Sequence, residues 1–209
     1  MLVALPITPG FVPRQRTDFL DSALGPIPRG ALTEIAGPAS SGRTTFLGSL
    51  LAAVTANDEF CALIDVDNAF DPASAAGVRL SQILWVRCGG NIDHAIRAAD
   101  LLAQAGGFGL VAIDLGNTPV KTVHRLPLAV WFRLRHAVQN TKTALITVSQ
   151  RVHAHSCSEL KIQLARDRVV WRGKLPGRLL EGIDVSAQCI KNHRGEQHTF
   201  YVRRDPCSR

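Results

Sequence analysis

The sequence predicts an α/β fold in which a mostly parallel sheet is flanked by helices and extended by antiparallel strands near the C-terminus. Over the first 150 residues, short apolar runs alternate with segments whose apolar residues recur at helical spacing. The runs are almost continuous in apolar residues, which is typical of parallel strands covered on both faces. From about residue 168, apolar and polar residues alternate instead, and this pattern predicts half-buried antiparallel strands.

The first segment, residues 1–28, is rich in proline and shows little periodicity, so we predict an N-terminal arm with a short helix around residues 17–24. The core domain is predicted to follow as residues 29–209. The apolar residues of the arm have two interpretations: they dock on another subunit or partner, or they cover an edge of this same domain.

A glycine-rich loop joins the first predicted strand of the core, residues 31–36, to a helix that continues from Thr45. The loop fits the pattern Gly-x-x-x-x-Gly-Lys-Ser/Thr, in which backbone N–H groups wrap a phosphate, a cation reaches its outer oxygens and a hydroxyl binds Mg²⁺. The N-terminus of the helix adds its dipole to such an anion site. Arg43 departs from the pattern, because it stands where a lysine is expected. The predicted nucleotide contacts are Gly37, Pro38, Ala39, Ser40, Ser41, Gly42, Arg43, Thr44 and Thr45.

An ATPase site of this kind also needs acidic side chains at the ends of neighbouring strands. Asp114 closes the predicted strand 109–113 and is, with Thr44, the candidate ligand of Mg²⁺; an ordinary aspartate at a turn is the alternative. Asp65 and Asp67 follow the predicted strand 61–64 and could orient a water at the γ-phosphate. An exposed acidic turn is the alternative for this pair.

The remaining elements follow the same alternation. Asn91 is predicted to cap a helix that ends before Gly106. Trp171 is expected to pack in the sheet. Further strands are predicted at 83–86, 144–148, 183–189 and 198–202, and further helices at 92–103 and 126–138.

Composition narrows the class of protein. The chain has 209 residues, 46% of them hydrophobic, but no apolar run is long enough to span a membrane. The first residues lack the basic segment of a secretory signal, so a cytoplasmic protein without a membrane partner is expected. The five cysteines form no Cys-x-x-Cys pair, so neither a zinc site nor a disulfide framework is indicated. Cys61 and Cys189 are predicted to be buried thiols.

Charge is distributed unevenly along the chain. Residues 1–120 hold 7 Lys and Arg against 11 Asp and Glu, whereas residues 121–209 hold 17 against 6, a net charge of +11. A basic half of this kind favours an anionic polymer such as nucleic acid as partner. A solvated basic surface, or one that meets an acidic protein, is the alternative.

Several of these motifs resemble the RecA superfamily. Residues 34–45 are similar to its phosphate-binding loop, and residues 61–72 are similar to the segment that carries its catalytic glutamate. The resemblance implies a RecA-like core that binds ATP and Mg²⁺, in which Asp67 takes the place of the glutamate. It also implies that Gln150 senses the γ-phosphate and that Lys191 reaches the ATP of a neighbouring subunit.

The sequence also departs from the superfamily. Arginine is bulky and planar where lysine is a compact point charge, and Asp67 is one methylene shorter than glutamate, so we predict weak ATP binding and poor hydrolysis. The first DNA loop, around residues 117–125, is short, and the large C-terminal domain is expected to be missing. Short chains of this sort are similar to the ImuA family of bacterial mutagenesis cassettes.

The resemblance to ImuA implies a DNA-repair accessory protein that supports translesion synthesis in the SOS response. Its implied partners are translesion polymerase subunits, single-stranded or damaged DNA, and RecA or a second copy of the chain. An active DNA-dependent ATPase with minimal recombinase-like activity is the alternative. A small-molecule kinase is disfavoured, because the sequence shows no arginine-rich lid.

Basic residues that follow Gln150 are the candidates for DNA contact. Their contacts with phosphates would depend on salt and not on base sequence. No aromatic residue lies within residues 151–170, so stacking of bases on this segment has little support. The candidates are Arg151, His153, His155, Lys161, Arg166 and Arg168.

Overall fold

The computed structural model describes residues 2–4, 19–22, 24–174, 176–191 and 197–204, and of residues 2–4, 181, 191 and 197–204 it describes the backbone alone. The strands are β1 (Leu2–Ala4), β2 (Phe19–Leu20), β3 (Ile27–Pro28), β4 (Leu32–Ala36), β5 (Phe60–Asp65), β6 (Ile83–Arg87), β7 (Phe108–Asp114), β8 (Ala144–Ser149), β9 (Leu160–Arg172), β10 (Leu179–Lys191) and β11 (Gln197–Arg204). The helices are α1 (Arg43–Ala56), α2 (Ile92–Ala105), α3 (Val120–His124) and α4 (Leu128–Val138).

Within the described residues, nine strands form one sheet in the order β1-β11-β10-β9-β4-β8-β7-β5-β6. The strands from β9 to β6 run parallel to one another. Strands β10, β11 and β1 extend the sheet in antiparallel fashion beyond β9. The predicted fold, a mostly parallel sheet with an antiparallel C-terminal extension, is therefore confirmed.

Helices cover both faces of the parallel strands. On β7, Leu110 and Ala112 enter the hydrophobic cluster that contains α1, whereas Val111 and Ile113 enter the cluster that contains α2 and α4. Successive side chains of a strand point to opposite faces, so a strand covered on both faces must be apolar throughout. The C-terminal ends of β4, β5, β7 and β8 meet at one edge of the sheet, and the loops of the candidate site lie there.

The residues next to the predicted domain boundary pack on the core. Leu20, Leu24 and Ile27 are buried in the same cluster as α1. The helix predicted around residues 17–24 is wrong for the described residues, because Phe19–Leu20 is strand β2, which pairs with β3. The division into an arm, 1–28, and a core, 29–209, stays a prediction.

Several local predictions are borne out or corrected. The Asn91 side chain accepts a hydrogen bond from the His94 N–H at the start of α2, as a helix cap should. Cys61 is buried, and burial, with a smaller effect of Glu59, raises the pKa of its thiol to about 12. The segment 117–125, interpreted as a short loop, contains α3. No helix among the described residues combines the length and apolar character that crossing a bilayer requires.

Candidate functional site

The glycine-rich loop follows β4 and leads directly into α1. Both glycines of the motif are required by the backbone: a Cβ atom on Gly37 would lie 2.5 Å from the Leu164 carbonyl oxygen, and Gly42 has a φ of 86°. The Gly37 N–H donates to the Ser149 carbonyl oxygen at 3.2 Å, which fastens the loop to β8. The loop therefore presents the N–H groups of the first turn of α1 at the edge of the sheet, where they can take an anion.

Arg43 is the first residue of α1, and its side chain is turned into the protein. The residue is 8% exposed, and its Nη1 atom has no hydrogen-bond partner among the described residues. A Cβ atom on Gly116 would lie 3.7 Å from this Nη1 and 2.9 Å from Asp114 Oδ1, so the guanidinium and the carboxylate lie beside the same glycine. Burial lowers the pKa of Arg43, and the charge of Asp114 opposes that effect. An arginine stays charged in proteins, so a buried cation stands behind the loop.

The acidic residue Asp65 has a structural role. It is fully buried, and its Oδ1 accepts a hydrogen bond from the Ala69 N–H at 2.8 Å. Its Oδ2 accepts from the Phe70 N–H at 3.0 Å and from the Trp85 indole N–H at 3.1 Å. The expectation that Asp65 could reach a γ-phosphate is therefore corrected: this carboxylate shapes the turn after β5.

Asp67, Asp114 and Gln150 gather around the loop after β7. Thr118 Oγ1 donates to Asp67 Oδ2 at 2.6 Å, and the Gly116 N–H donates to Asp114 Oδ1 at 2.8 Å. Gln150 Nε2 donates to the Gly116 carbonyl oxygen at 3.4 Å. The structure thus brings together the two predicted catalytic residues and the predicted metal ligand Asp114.

The electrostatics of Asp114 reflect this crowding. Burial raises the pKa of its carboxyl, and the negative charges of Asp65 and Asp67 raise it further. The hydrogen bond from the Gly116 N–H and the charge of Arg43 act in the opposite direction without cancelling the increase. Asp114 therefore loses its proton less readily than an aspartate in water does.

Oxygen ligands for Mg²⁺ are present, and a positive charge lies beside one of them. The Thr44 hydroxyl is exposed at the start of α1 and the Asp114 carboxylate ends β7, and such oxygens suit Mg²⁺. However, the Arg43 guanidinium already lies beside Asp114, and a divalent cation held there would meet a like charge. Within the described part of the chain, no group of three or more His, Cys, Asp or Glu side chains is arranged to hold a metal.

A cavity of about 460 Å³ lies between the loop and the hairpin formed by β9 and β10. Trp171 lines it and is 48% exposed, so the prediction that this side chain packs in the sheet is wrong. The Arg178 guanidinium lies 5.8 Å from the centre of the Trp171 ring. The loop contributes Ser40, Gly42, Arg43, Thr44 and Thr45 to the lining, and the hairpin contributes Arg166, Val169, Trp171, Leu180 and Ile183.

The basic residues predicted to contact DNA lie in different environments. Arg151 and His155 are exposed in the segment between β8 and β9. His153 lies in the same segment but is only 6% exposed, and burial lowers the pKa of its ring. His153 is therefore buried whereas the other two residues are exposed, and its contact with DNA stays a prediction.

The other three basic candidates lie on β9. Lys161 is half-buried, and Arg166 lines the cavity beside the glycine-rich loop. Arg168 Nε contacts Asp184 Oδ2 at 3.1 Å in an ion pair at the surface. Lys191 ends β10 opposite Leu160, and because its side chain lies outside the described residues, its inter-subunit contact stays a prediction.

Glu34 organises the segment after β8, a role that the sequence did not reveal. This carboxylate is 1% exposed on β4. Its Oε1 accepts hydrogen bonds from the N–H groups of His153 and Ala154 at 2.6 and 2.7 Å, and its Oε2 accepts one from Ser158 Oγ at 2.9 Å. The signal that could have found it is a carboxylate inside an otherwise apolar strand, since a buried charge requires such partners.

The sheet, the glycine-rich loop before α1 and the acids at neighbouring strand ends define a P-loop nucleotide-binding fold. A sequence profile of the RecA N-terminal domain matches residues 16–122, about half of the chain. Protein RecA of Borrelia hermsii strain HS1/DAH and Protein RecA of Borrelia hermsii are each 38% identical over 99 residues, which cover 46% of this chain and 28% of each relative. The chain therefore belongs to the RecA N-terminal domain family, and it matches only about a quarter of the length of these relatives.

Proposed function

We propose that this chain is a RecA-like accessory protein of the ImuA type, which supports translesion synthesis and SOS mutagenesis by contacting polymerase components and DNA. Its nucleotide site is proposed to bind ATP weakly and to hydrolyse it poorly. The observation that carries this proposal is the position of Arg43, which is buried beside Asp114 where the family pattern has a lysine.

The cavity beside the loop supports a nucleotide as the ligand. One wall offers the start of α1 and the Arg43 side chain, which suit phosphates. The opposite wall offers Trp171, Leu180 and Ile183, which suit a flat apolar group such as a base. A volume of about 460 Å³ lies within the usual range of small-molecule sites.

Poor hydrolysis follows from the surroundings of Asp67. Its Oδ2 already accepts a hydrogen bond from Thr118 at 2.6 Å. The side chain is also one methylene shorter than the glutamate of the family pattern, and a misplacement of about 1 Å can cost on the order of 100-fold in rate. We therefore expect Asp67 to orient an attacking water inefficiently.

Two surfaces support the proposed contacts with DNA and with a protein partner. Arg151 and His155 are exposed on a segment whose backbone Glu34 holds in place, so they can meet DNA phosphates without a large ordering cost. The hairpin of β9 and β10 exposes Leu179 and Leu180 by 69% and 61%, and exposed apolar side chains of this kind favour a protein partner. A polymerase subunit, RecA or a second copy of the chain would each suit that surface.

The experiment is a measurement of ATP hydrolysis by the purified full chain, with and without single-stranded DNA, beside the variant Arg43→Lys. Arg97→Lys is the matched control, because Arg97 is exposed on α2. We expect the natural protein and the control to hydrolyse ATP at least about 100-fold more slowly than a RecA protein assayed alongside, with no stimulation by DNA. Turnover that DNA stimulates to a rate close to that of RecA would contradict the proposal.

That contrary result would favour the second candidate, an active DNA-dependent ATPase with minimal recombinase-like activity. The specific observation in its favour is that Asp67, Asp114 and Gln150 all form hydrogen bonds with the loop after β7, at Thr118 or at Gly116. Filaments on single-stranded DNA in electron micrographs would separate this candidate from an accessory protein.

A further inference from the structure

We propose that Arg43 supplies the positive charge that a divalent cation supplies in the usual form of this loop, so that the site binds nucleoside di- and triphosphates without Mg²⁺. This inference rests on the proposed nucleotide site and specifies its ligand, a metal-free polyphosphate. It concerns binding and does not require turnover.

The first step is the position of the guanidinium. Arg43 is more than nine-tenths buried, yet in the part of the chain that the structure describes its Nη1 donor has no hydrogen-bond partner. Buried polar groups are nearly always hydrogen-bonded in folded proteins, and an unpartnered charged donor at a binding loop points to a ligand acceptor. A phosphate oxygen is the acceptor that a guanidinium fits best, because its planar donors can form two parallel hydrogen bonds.

The second step is the competition for Asp114. A magnesium ion at a P-loop is held by a loop hydroxyl and by an acid at the end of a neighbouring strand. In this structure the Arg43 guanidinium lies beside that acid, and the Gly116 N–H occupies Asp114 Oδ1 at 2.8 Å. A metal ion at this carboxylate would therefore have to compete with a hydrogen-bond donor and with a fixed positive charge that lies nearby.

The third step is the charge around the rest of the cavity. Arg166 adds a second guanidinium from β9, and the described lining contains no acidic residue. The first turn of α1 also contains no acidic residue, so its N–H groups keep their full attraction for an anion. Two guanidinium groups and a helix N-terminus can together offset much of the negative charge of a diphosphate.

The test measures the affinity of the full chain for ADP and ATP by calorimetry, in excess MgCl₂ and in excess EDTA. We expect the dissociation constant of the natural protein to change by less than about threefold between the two conditions, and that of Arg43→Lys to rise about tenfold or more in EDTA. Arg97→Lys is the matched control and should behave as the natural protein does. A natural protein that loses about tenfold in affinity in EDTA would overturn the inference.

The two proposals fail in different ways. If the natural protein binds nucleotide only with Mg²⁺, the nucleotide site stands and the role assigned to Arg43 falls. If neither the natural protein nor Arg43→Lys binds ADP or ATP under either condition, while circular dichroism shows both to be folded, the nucleotide site falls as well. Equal affinity of the natural protein in both conditions supports the inference even if the lysine variant does not fold, because that comparison requires no substitution.

Discussion

Arg43 and Asp114 are two residues whose opposite charges are set close together inside the protein, and neither is well solvated. Arg43 Nη1 lacks a hydrogen-bond partner within the described ranges, and the pKa of Asp114 stays raised although Arg43 lies nearby. Folded proteins keep such arrangements mainly at binding sites, where function and stability oppose each other. At the scale of single residues, we therefore expect these two side chains of the candidate site to lower the free energy of unfolding.

A stability measurement on Asp114→Asn tests this statement. Folding raises the pKa of Asp114, so the folded state disfavours the ionised carboxylate. The ionised carboxylate therefore lowers the free energy of unfolding at pH values above the folded-state pKa. This loss of stability disappears below the pKa of the unfolded state, about 3.9. We expect the neutral isostere to raise the free energy of unfolding at neutral pH by about 0.5–2 kcal/mol, and the gain to vanish as the pH falls to about 4. Urea denaturation at several pH values measures it, with the exposed Asp21→Asn as control. A less stable Asn variant at neutral pH would refute the argument.

At the scale of elements, much could be predicted from local pattern. The order of strands and helices, the loop before α1 and the Asn91 cap all follow from periodicity and from residue types within a few positions of each other. The direction of Trp171 could not be predicted in this way. Pairing of β9 with β10 is irregular between Leu180 and Gly182 and between Asp184 and Val185, and each irregularity changes which side chains share a face.

The burial of His153 depends on a contact that is even less local. The carboxylate that holds its backbone N–H belongs to Glu34, which lies 119 positions earlier in the chain. No periodicity connects residues so far apart, and only the parallel pairing of β4 with β8 and β9 brings them together. Predictions for the six basic residues therefore depended on tertiary contacts that the sequence does not display.

The hairpin of β9 and β10 leads to a prediction about Trp171. If its indole supports a base, Trp171→Ala should weaken ADP binding by about tenfold, since stacking of a base on an aromatic ring contributes about 1–3 kcal/mol. Binding of inorganic pyrophosphate should not change, because the groups proposed to hold the phosphates, the start of α1 with Arg43 and Arg166, do not include Trp171. Trp171→Phe keeps an aromatic ring and should retain most of the affinity for ADP. Calorimetry with both ligands measures these effects, and an equal loss of ADP and pyrophosphate affinity would argue against a base at this wall.

At the scale of the whole molecule, the two ends of the parallel strands differ: the candidate site lies where the strands end, and a network around Arg29 lies where they begin. The loop before α1, Asp67, Asp114 and Gln150 lie where the parallel strands end. At the opposite edge, Arg29 joins the beginnings of several strands: it donates two hydrogen bonds to Glu59 at 2.6 and 2.7 Å. It also donates to the carbonyl oxygens of Gly109 and Lys142 at 3.3 and 3.0 Å.

Removing this contact should cost far more stability than removing an exposed ion pair. Arg29 is 9% exposed, and Arg29→Ala would leave Glu59 and two carbonyl oxygens without their donor, so we expect a loss of about 3 kcal/mol in the free energy of unfolding. The ion pair of Arg79 with Asp58 is the internal control: its side chains are 52% and 80% exposed, and Arg79→Ala should cost less than about 1 kcal/mol. Urea denaturation of both variants measures the difference. Equal losses would mean that Arg29 does not hold the strands together, whereas a large loss confined to Arg29→Ala would show that this side chain joins the beginnings of the strands.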